Sequence, residues 1–563
     1  MAQQESRWQI SPPIPDDISE ALNGYSPTFR QILYNRQITS PQQAEEFLTA
    51  QPPSHGKSEL LGTGKAVERI SQAIKNEEKI AIYGDYDADG VTATALMLQT
   101  LTAIGANVRT YIPYRFTEGY GLNKTALEAL RQDGVNLVVT VDCGIRAVRE
   151  AQFAASIGLD LIITDHHTTG PELPTCVALI NPKQPDETYP EKVLAGVGVA
   201  YKLANALIEA HQPAGLLAED LLDLVAIGTV SDLVPLTGEN RALVREGLSH
   251  LRTPRRQGIA SLLGVIDISP ASVTAATIGF GIGPRINAAG RIGTAQDALN
   301  LLTTKDLNEA GYYAQVLDNR NRERQRITRE IQEQADEIAG TEEPDSYLLF
   351  AHHPDFNPGV VGLAASKLSE EYYRPAVVGH RGEEYTRASC RSIPEFHITH
   401  ALDECADLLT QYGGHAAAAG FTVPNLRLNE LAHRLREIAR QQLQDQDLHP
   451  SLSADAVVQL SDLKPSLLKE IDRLEPTGQK NESPLFVSRK VEVRGARAVG
   501  KDGSHLKLIL SQSGVTFDAI AFRFGHLSEE IPGQVDILYA FELNEFNGRQ
   551  TLQLNIKDLK FAW

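Results

Sequence analysis

Asp85, Asp87 and Asp89 alternate along Tyr83-Gly84-Asp85-Tyr86-Asp87-Ala88-Asp89-Gly90, directly after the apolar run Ile80-Ala81-Ile82. Carboxylates packed this closely repel one another unless a cation sits among them. A fold rarely needs such a cluster for stability, so the spacing points to a divalent metal. Further donors follow downstream. Val138-Val139-Thr140-Val141 reads as a β-branched strand ending in Asp142-Cys143-Gly144, and Leu161-Ile162-Ile163-Thr164 reads as another ending in Asp165-His166-His167. A fourth acid, Asp232, follows the helical stretch from Leu221 to Thr229.

Each piece alone has a bland explanation. Asp-x-Asp-x-Asp-Gly serves as a turn or calcium loop, an Asp after a strand is usually a cap or turn former, and Asp-His-His can be a solvated loop. At matching strand ends, those explanations would have to coincide three times. The residue types narrow the metal. An EF-hand needs a Glu at the twelfth loop position, where this chain has Leu96. Structural zinc prefers cysteine, and the four cysteines form no Cys-x-x-Cys pair. Carboxylates with one or two imidazoles suit manganese or magnesium. Enough acids are present for two ions sharing a bridging carboxylate, which activates a water and stabilises both oxygens in phosphoester hydrolysis. The residues themselves therefore imply a metal-dependent phosphoesterase.

The elements that must position these donors are legible too. Helix-like stretches from Val91 to Ile104 and from Ala147 to Ile157 follow the first two strands. Strands alternating with helices predict βαβ units and a parallel sheet with right-handed crossovers. Ligands of such sheets bind outside the carboxyl ends of the strands, where all three acidic clusters sit.

Asp-Tyr-Asp-Ala-Asp-Gly, Val-Asp-Cys-Gly, Asp-His-His and Ser231-Asp232-Leu233-Val234-Pro235-Leu236 occur in the order and spacing of the DHH phosphoesterase superfamily, which the chain resembles. Gly413-Gly414-His415-Ala416-Ala417-Ala418-Ala419-Gly420 resembles the signature of the associated DHHA1 domain. Gly283-Pro284-Arg285-Ile286-Asn287-Ala288-Ala289-Gly290-Arg291 and Leu552-Gln553-Leu554 narrow the resemblance to the RecJ family of single-stranded-DNA exonucleases, from about residue 50 onward. The resemblance implies Asp87, Asp89, His166 and Asp232 as metal ligands and Asp142 as the carboxylate bridging two Mn2+ or Mg2+ ions, with Asp85 a further candidate. It implies that His167 contacts the scissile phosphate or completes the metal shell, and that Asp165 orients the histidines. Tyr83 stands where some members carry a ligand histidine. By the same resemblance Arg115, Arg285, Asn287, Ser389, Arg391, Ser392, Gly414 and His415 bind substrate, an arginine fork suiting phosphate better than lysine. At His353-Pro354-Asp355-Phe356-Asn357-Pro358-Gly359-Val360 the chain departs from the family's Trp-His-Pro-Gly-Val. Phe356 remains able to stack on a base, whereas Asn357 cannot titrate as histidine does.

Composition sets the frame. A chain of 563 residues holds several domains, and its net charge of −19 is unpromising for nonspecific nucleic-acid binding. A channel depends on local potential, however, and bound cations neutralise part of the acidity. The reading is an α/β protein in five segments. Residues 1–50 form a helical segment and 51–240 a parallel-sheet DHH catalytic domain. Residues 241–340 form a helical connector with a turn-rich loop from Gly281 to Gly293 and a basic helix through Arg320, Arg322, Arg324, Arg326 and Arg329. Residues 341–445 form a DHHA1-type α/β domain, and 446–563 an OB-like β-barrel that binds nucleic acid. In the barrel Phe522, Phe524, Tyr539 and Phe546 are candidates for stacking, most of them core. No leader or transmembrane run appears, and the cysteines lack framework spacing, so a cytoplasmic protein is expected. The expected partner is single-stranded DNA, degraded 5′ to 3′ in repair and recombination by a monomer that a single-strand-binding protein or helicase supplies. The rivals are a DHH phosphodiesterase for short oligonucleotides or cyclic dinucleotides, which the barrel argues against, and an inactive DHH scaffold, which the retained acids argue against.

Overall fold

Apolar, β-branched segments build the first sheet of the computed structural model, which describes residues 6–50, 59–342, 346–546 and 549–561. Strands β1 (Lys79–Gly84), β2 (Asn107–Tyr111), β3 (Val135–Val141), β4 (Asp160–Thr164) and β5 (Ala178–Ile180) are all parallel, in the order β2-β1-β3-β4-β5. β1 and β3 are buried almost throughout, as strands covered on both faces must be. Helix α1 (Ala88–Ala103) follows β1, and α2 (Gly196–His211) and α3 (Leu222–Ser231) pack against it. α1 is apolar all round. Its buried Thr92, Thr94 and Thr100 hydroxyls donate to carbonyls one turn back, so no polar group is stranded.

The segment from Gly281 to Gly293 is not the expected loop. A π-helical turn (Ile278–Ile282) leads straight into α4 (Gly283–Ile292). Its glycines serve close packing rather than turning: a Cβ at Gly283 would meet Ser231 Oγ at 2.4 Å, and one at Gly290 would meet the Tyr86 carbonyl at 2.5 Å. α5 (Leu307–Glu342) runs for 36 residues and carries the arginine series. Most of that series is ion-paired, Arg320 with Asp297, Arg322 with Asp318, and Arg326 with Glu323 and Glu330.

The second α/β sheet comprises β6 (Leu349–His353), β7 (Ala376–Arg381), β8 (Tyr385–Arg391), β9 (Gln411–His415) and β10 (Ala418–Pro424), with helix α6 (Val361–Tyr372) packed on it. Its order is β9-β10-β8-β7-β6, and only β6 and β7 run parallel. Phe356 is only 1% exposed and sits in the core beneath α6, so the stacking role expected of it is corrected: its face is already covered. Both sheets and the helices between them belong to one compact unit, residues 54–234 with 246–449.

The other unit joins residues 1–53, 235–245 and 450–563, so the divide expected at residue 240 falls within a segment of this unit. Its strands β11 (Phe486–Val499), β12 (His505–Gln512), β13 (Val515–Ala521), β14 (Gln534–Phe546) and β15 (Arg549–Phe561) close a barrel in the order β11-β12-β13-β15-β14. Only β13 and β15 are parallel, and alternate residues such as Leu506, Leu508 and Leu510 point inward. Phe524 and Tyr539 are core, Phe522 is exposed, and the Phe546 side chain lies outside the described residues. The amino-terminal segment is not purely helical, since Arg7–Ile10 pairs in parallel with Ser451–Ala454. Among the described residues no helix is long and apolar enough to cross a membrane.

Candidate metal centre

Every acid singled out in the sequence lies at an element end facing one crevice. Asp85 follows β1, while Asp87 caps α1, its Oδ1 accepting from the amides of Asp89 (2.9 Å) and Gly90 (3.1 Å). Asp89 lies in the first turn of α1, and both its oxygens accept amides at the start of α2, from Gly196 (2.7 Å) and Val197 (2.8 Å). Asp142 ends β3 with φ +61°, a left-handed conformation that aspartate tolerates better than most residues. Asp232 caps the carboxyl end of α3. Crowding leaves room only for glycine nearby: a Cβ at Gly196 would lie 2.5 Å from Asp142 Oδ1, and one at Gly228 would lie 2.9 Å from Asp89 Oδ1.

His166 Nε2 is the hub, 3.3 Å from Asp142 Oδ1, 3.5 Å from Asp232 Oδ2 and 3.9 Å from Asp89 Oδ2. Three sets of donors converge closely enough to hold an ion: Asp89-His166-Asp232, Asp85-Asp87-Asp142 and Asp142-His166-His167. Asp142 belongs to two of them, the position a bridging carboxylate requires. Asp85 Oδ1, Asp142 Oδ1 and His166 Nε2 are buried without a hydrogen-bond partner. Buried polar atoms left unpaired are costly, so these atoms fit cation ligands. The hard-oxygen and imidazole donor set fits Mn2+ or Mg2+.

The electrostatics agree. Burial and the charge of Asp87 push Asp89 up to about 7, and burial with the charges of Asp89 and Asp87 pushes Asp232 up to about 9. Asp85 and Asp142 are driven well above the carboxylate range for the same reasons. Burial lowers His166 to about 3, which keeps its imidazole neutral and able to ligate. Asp165 behaves oppositely: burial is outweighed by its hydrogen bond to His167, and its carboxyl is held low. Its Oδ1 accepts from His166 N (2.7 Å), His167 N (3.0 Å) and His167 Nδ1 (2.7 Å), and its Oδ2 from Ile145 N (2.9 Å). Both its oxygens are engaged in this way, and one of them holds the His167 ring through Nδ1.

The candidate substrate residues divide into two groups. Arg115 lies over the Tyr86 ring and, with Ser389, lines a pocket of 180 Å³. His415 faces His167, Tyr120 and Arg146 across a cavity of 310 Å³. Arg391 lies next to that serine, one of its nitrogens donating to the Cys390 carbonyl. The others have structural partners. Arg285 pairs with Asp318 at 2.8 Å, Asn287 accepts the Ala88 amide at 2.9 Å, and the Ser392 hydroxyl donates to the Phe396 carbonyl at 2.6 Å. Gly414 has φ +151°, and a Cβ there would lie 2.4 Å from the Ala418 carbonyl, so it makes the β9–β10 hairpin. Tyr83 is fully buried with its hydroxyl on the Gly121 carbonyl, away from any ligand role.

Three residues escaped the sequence reading. Tyr120 reaches both the Asp142 carbonyl and His167 Nδ1 at 3.3 Å, and Lys183 Nζ donates to the His166 carbonyl at 2.6 Å. Arg291 is pulled down to about 10 by burial and by the charges of Arg115, Arg324 and Arg391. Arginines from four distant segments thus gather beside the acids. Arg291 carried a signal, as the end of the Gly-Pro-Arg-Ile-Asn-Ala-Ala-Gly-Arg run, and Tyr120 lies in the same short stretch as Arg115.

Known proteins share this architecture. Residues 79–229 match the DHH family amino-terminal domain, 345–444 the DHHA1 domain and 454–558 the RecJ OB domain. The chain is 40% identical to the single-stranded-DNA-specific exonuclease RecJ of Bacillus subtilis, over 99% of its own length and 71% of the relative's. It is 33% identical to the RecJ exonuclease of Salmonella typhimurium, over 97% of each. A crystal structure of RecJ from Thermus thermophilus in complex with Mn2+ superposes with a TM-score of 0.85 at 29% identity, covering 99% of this chain and 80% of that one.

Proposed function

The chain belongs to the RecJ family of single-stranded-DNA-specific exonucleases, and from that premise we propose how its residues divide the reaction and at which end it starts. It is a metal-dependent exonuclease acting on single-stranded DNA, with Mn2+ or Mg2+ as cofactor. Asp87, Asp89, Asp142, His166 and Asp232 hold the ions, joined by Asp85, whose unpaired buried oxygen supports that role. Bound there, the ions supply an activated water and neutralise charge on the phosphodiester. Asp142 is shared by two of the three donor sets, Asp165 fixes the imidazole of His167 through Nδ1, and His167 faces the scissile phosphate. Arg115, Ser389 and Arg391 receive the 5′ phosphate, supported by Arg291, while His415 closes on the His167 side.

Degradation then runs 5′ to 3′, in DNA repair and recombination. The barrel guides the strand, and a single-strand-binding protein or helicase delivers it. A catalytic crevice contained within one chain supports a monomer. Free cysteines and a DNA substrate support a cytoplasmic setting. The observation carrying this reading is the convergence of unpaired buried donors at the carboxyl ends of β1, β3 and β4. An end-labelled digestion series tests it. Mononucleotides should be released first from the 5′ end of single strands in Mn2+. Release from the 3′ end would refute the polarity, and equal attack on duplex or cleavage of dinucleotides alone would refute the strand reading.

A further inference from the structure

Phe280 is 85% exposed, yet it is held at a fixed place. It lies at the middle of the π-helical turn Ile278–Ile282, whose two end residues are buried and anchor it. The turn rests on the end of α3: a Cβ at Gly279 would lie 3.9 Å from Val230 Cγ1, and one at Gly283 would press on Ser231 Oγ. The residue that caps α3 is the metal-centre acid Asp232. Leu233, after it, has φ +59° and is 73% exposed, so a second apolar side chain next to Asp232 is turned outward. The same run continues into α4, where Asn287 accepts the Ala88 amide beside Asp87 and Asp89. π-helical turns are frequent at functional sites, and an aromatic left in water adds nothing to folding.

We propose that Phe280 is a stacking platform for a base of the DNA strand at the rim of the metal centre. A single strand presents unpaired bases whose π-faces stack on aromatic side chains irrespective of sequence, whereas paired bases are already stacked on their neighbours. In this reading a strand with a phosphate among the acids lays an adjacent base beside the element that carries Asp232. Stacking there favours single strands locally. The inference rests on the single-stranded-DNA reading above.

The test is fluorescence anisotropy with Mn2+ bound, using a 5′-phosphorylated oligothymidylate whose phosphorothioate linkages resist hydrolysis and the same strand made abasic near its 5′ end. Phe280→Ala should weaken binding of the intact strand on the order of ten-fold or more. It should bind the abasic strand as the wild type does, and Phe280→Trp should restore the intact-strand affinity. Unchanged manganese affinity of the alanine variant verifies its fold. Equal binding of the intact strand by wild type and Phe280→Ala, or the same loss on both strands, would overturn the proposal. Failure of the wild type to bind either strand would remove the single-strand reading and this inference with it.

Discussion

At the residue scale, the carboxylates and imidazoles differ in what already occupies them. Asp165 is saturated by amides and by His167, whereas Asp85, Asp142 and His166 each keep an unpaired buried atom. Asp165→Asn should therefore reduce activity about 10- to 100-fold, the range for residues that orient a ligand, while Mn2+ still binds. Calorimetry with a parallel activity assay reads both quantities. The pH behaviour follows from the raised acids. Below about 7 for Asp89 and about 9 for Asp232 the carboxyls carry protons that a cation must displace. Manganese affinity should fall as pH drops from about 9 to about 6, with proton release on binding. Titrations in buffers of different ionisation enthalpy measure that release, and pH-independent affinity would be inconsistent with the raised carboxyls. The acids and the histidine pair were legible because each follows an apolar run, a strand for Asp85, Asp142 and Asp165 and a helix for Asp232. Tyr120 and Lys183 were not, because their contacts are made through the fold rather than through sequence neighbours.

At the element scale, glycine decides how closely helices approach the acids. Gly228 on α3 leaves no space for a Cβ against Thr92, Val197 and Asp89. Gly228→Ala should destabilise the protein by about 1–3 kcal/mol, the usual cost of overpacking, and weaken metal binding by displacing Asp89. Thermal unfolding with and without Mn2+ separates the two effects, because a metal that binds only the folded state raises its stability. The same physics explains the misread loop. Gly283 and Gly290 looked like turn glycines, but each is a helical residue touching Ser231 or Tyr86, and sequence pattern alone cannot tell close approach from chain reversal. Phe356 is the converse case, an aromatic in a polar Asp-Phe-Asn-Pro stretch whose burial beneath α6 depends on long-range packing. The parallel sheet and the barrel were legible because burial on two faces or one leaves a continuous or alternating apolar pattern.

At the scale of the whole molecule, a chain of net charge −19 handles a polyanion because its charges are sorted. Much of the basic α5 series is neutralised by its own acids, and the arginines around Arg291 lie beside the metal centre. The barrel unit is tied together separately. The buried guanidinium of Arg241 donates to the carbonyls of Phe47, Arg473, Leu474, Glu475 and Pro476, joining three stretches of chain. Arg241→Ala should cost about 3–5 kcal/mol, as removal of a buried charge that satisfies many groups does, and leave manganese affinity unchanged. Chemical denaturation followed by calorimetry reads the two outcomes.

The central claim is that Asp142 joins two ions in one hydrolytic centre. Manganese calorimetry on the wild type and on Asp142→Asn addresses it most directly. Two ions per wild-type chain are expected, with the variant losing at least one and falling more than about 100-fold in nuclease activity, beyond the cost of removing an orienting residue. A single ion in the wild type, or a variant with native stoichiometry and near-native hydrolysis of single-stranded DNA, would contradict it.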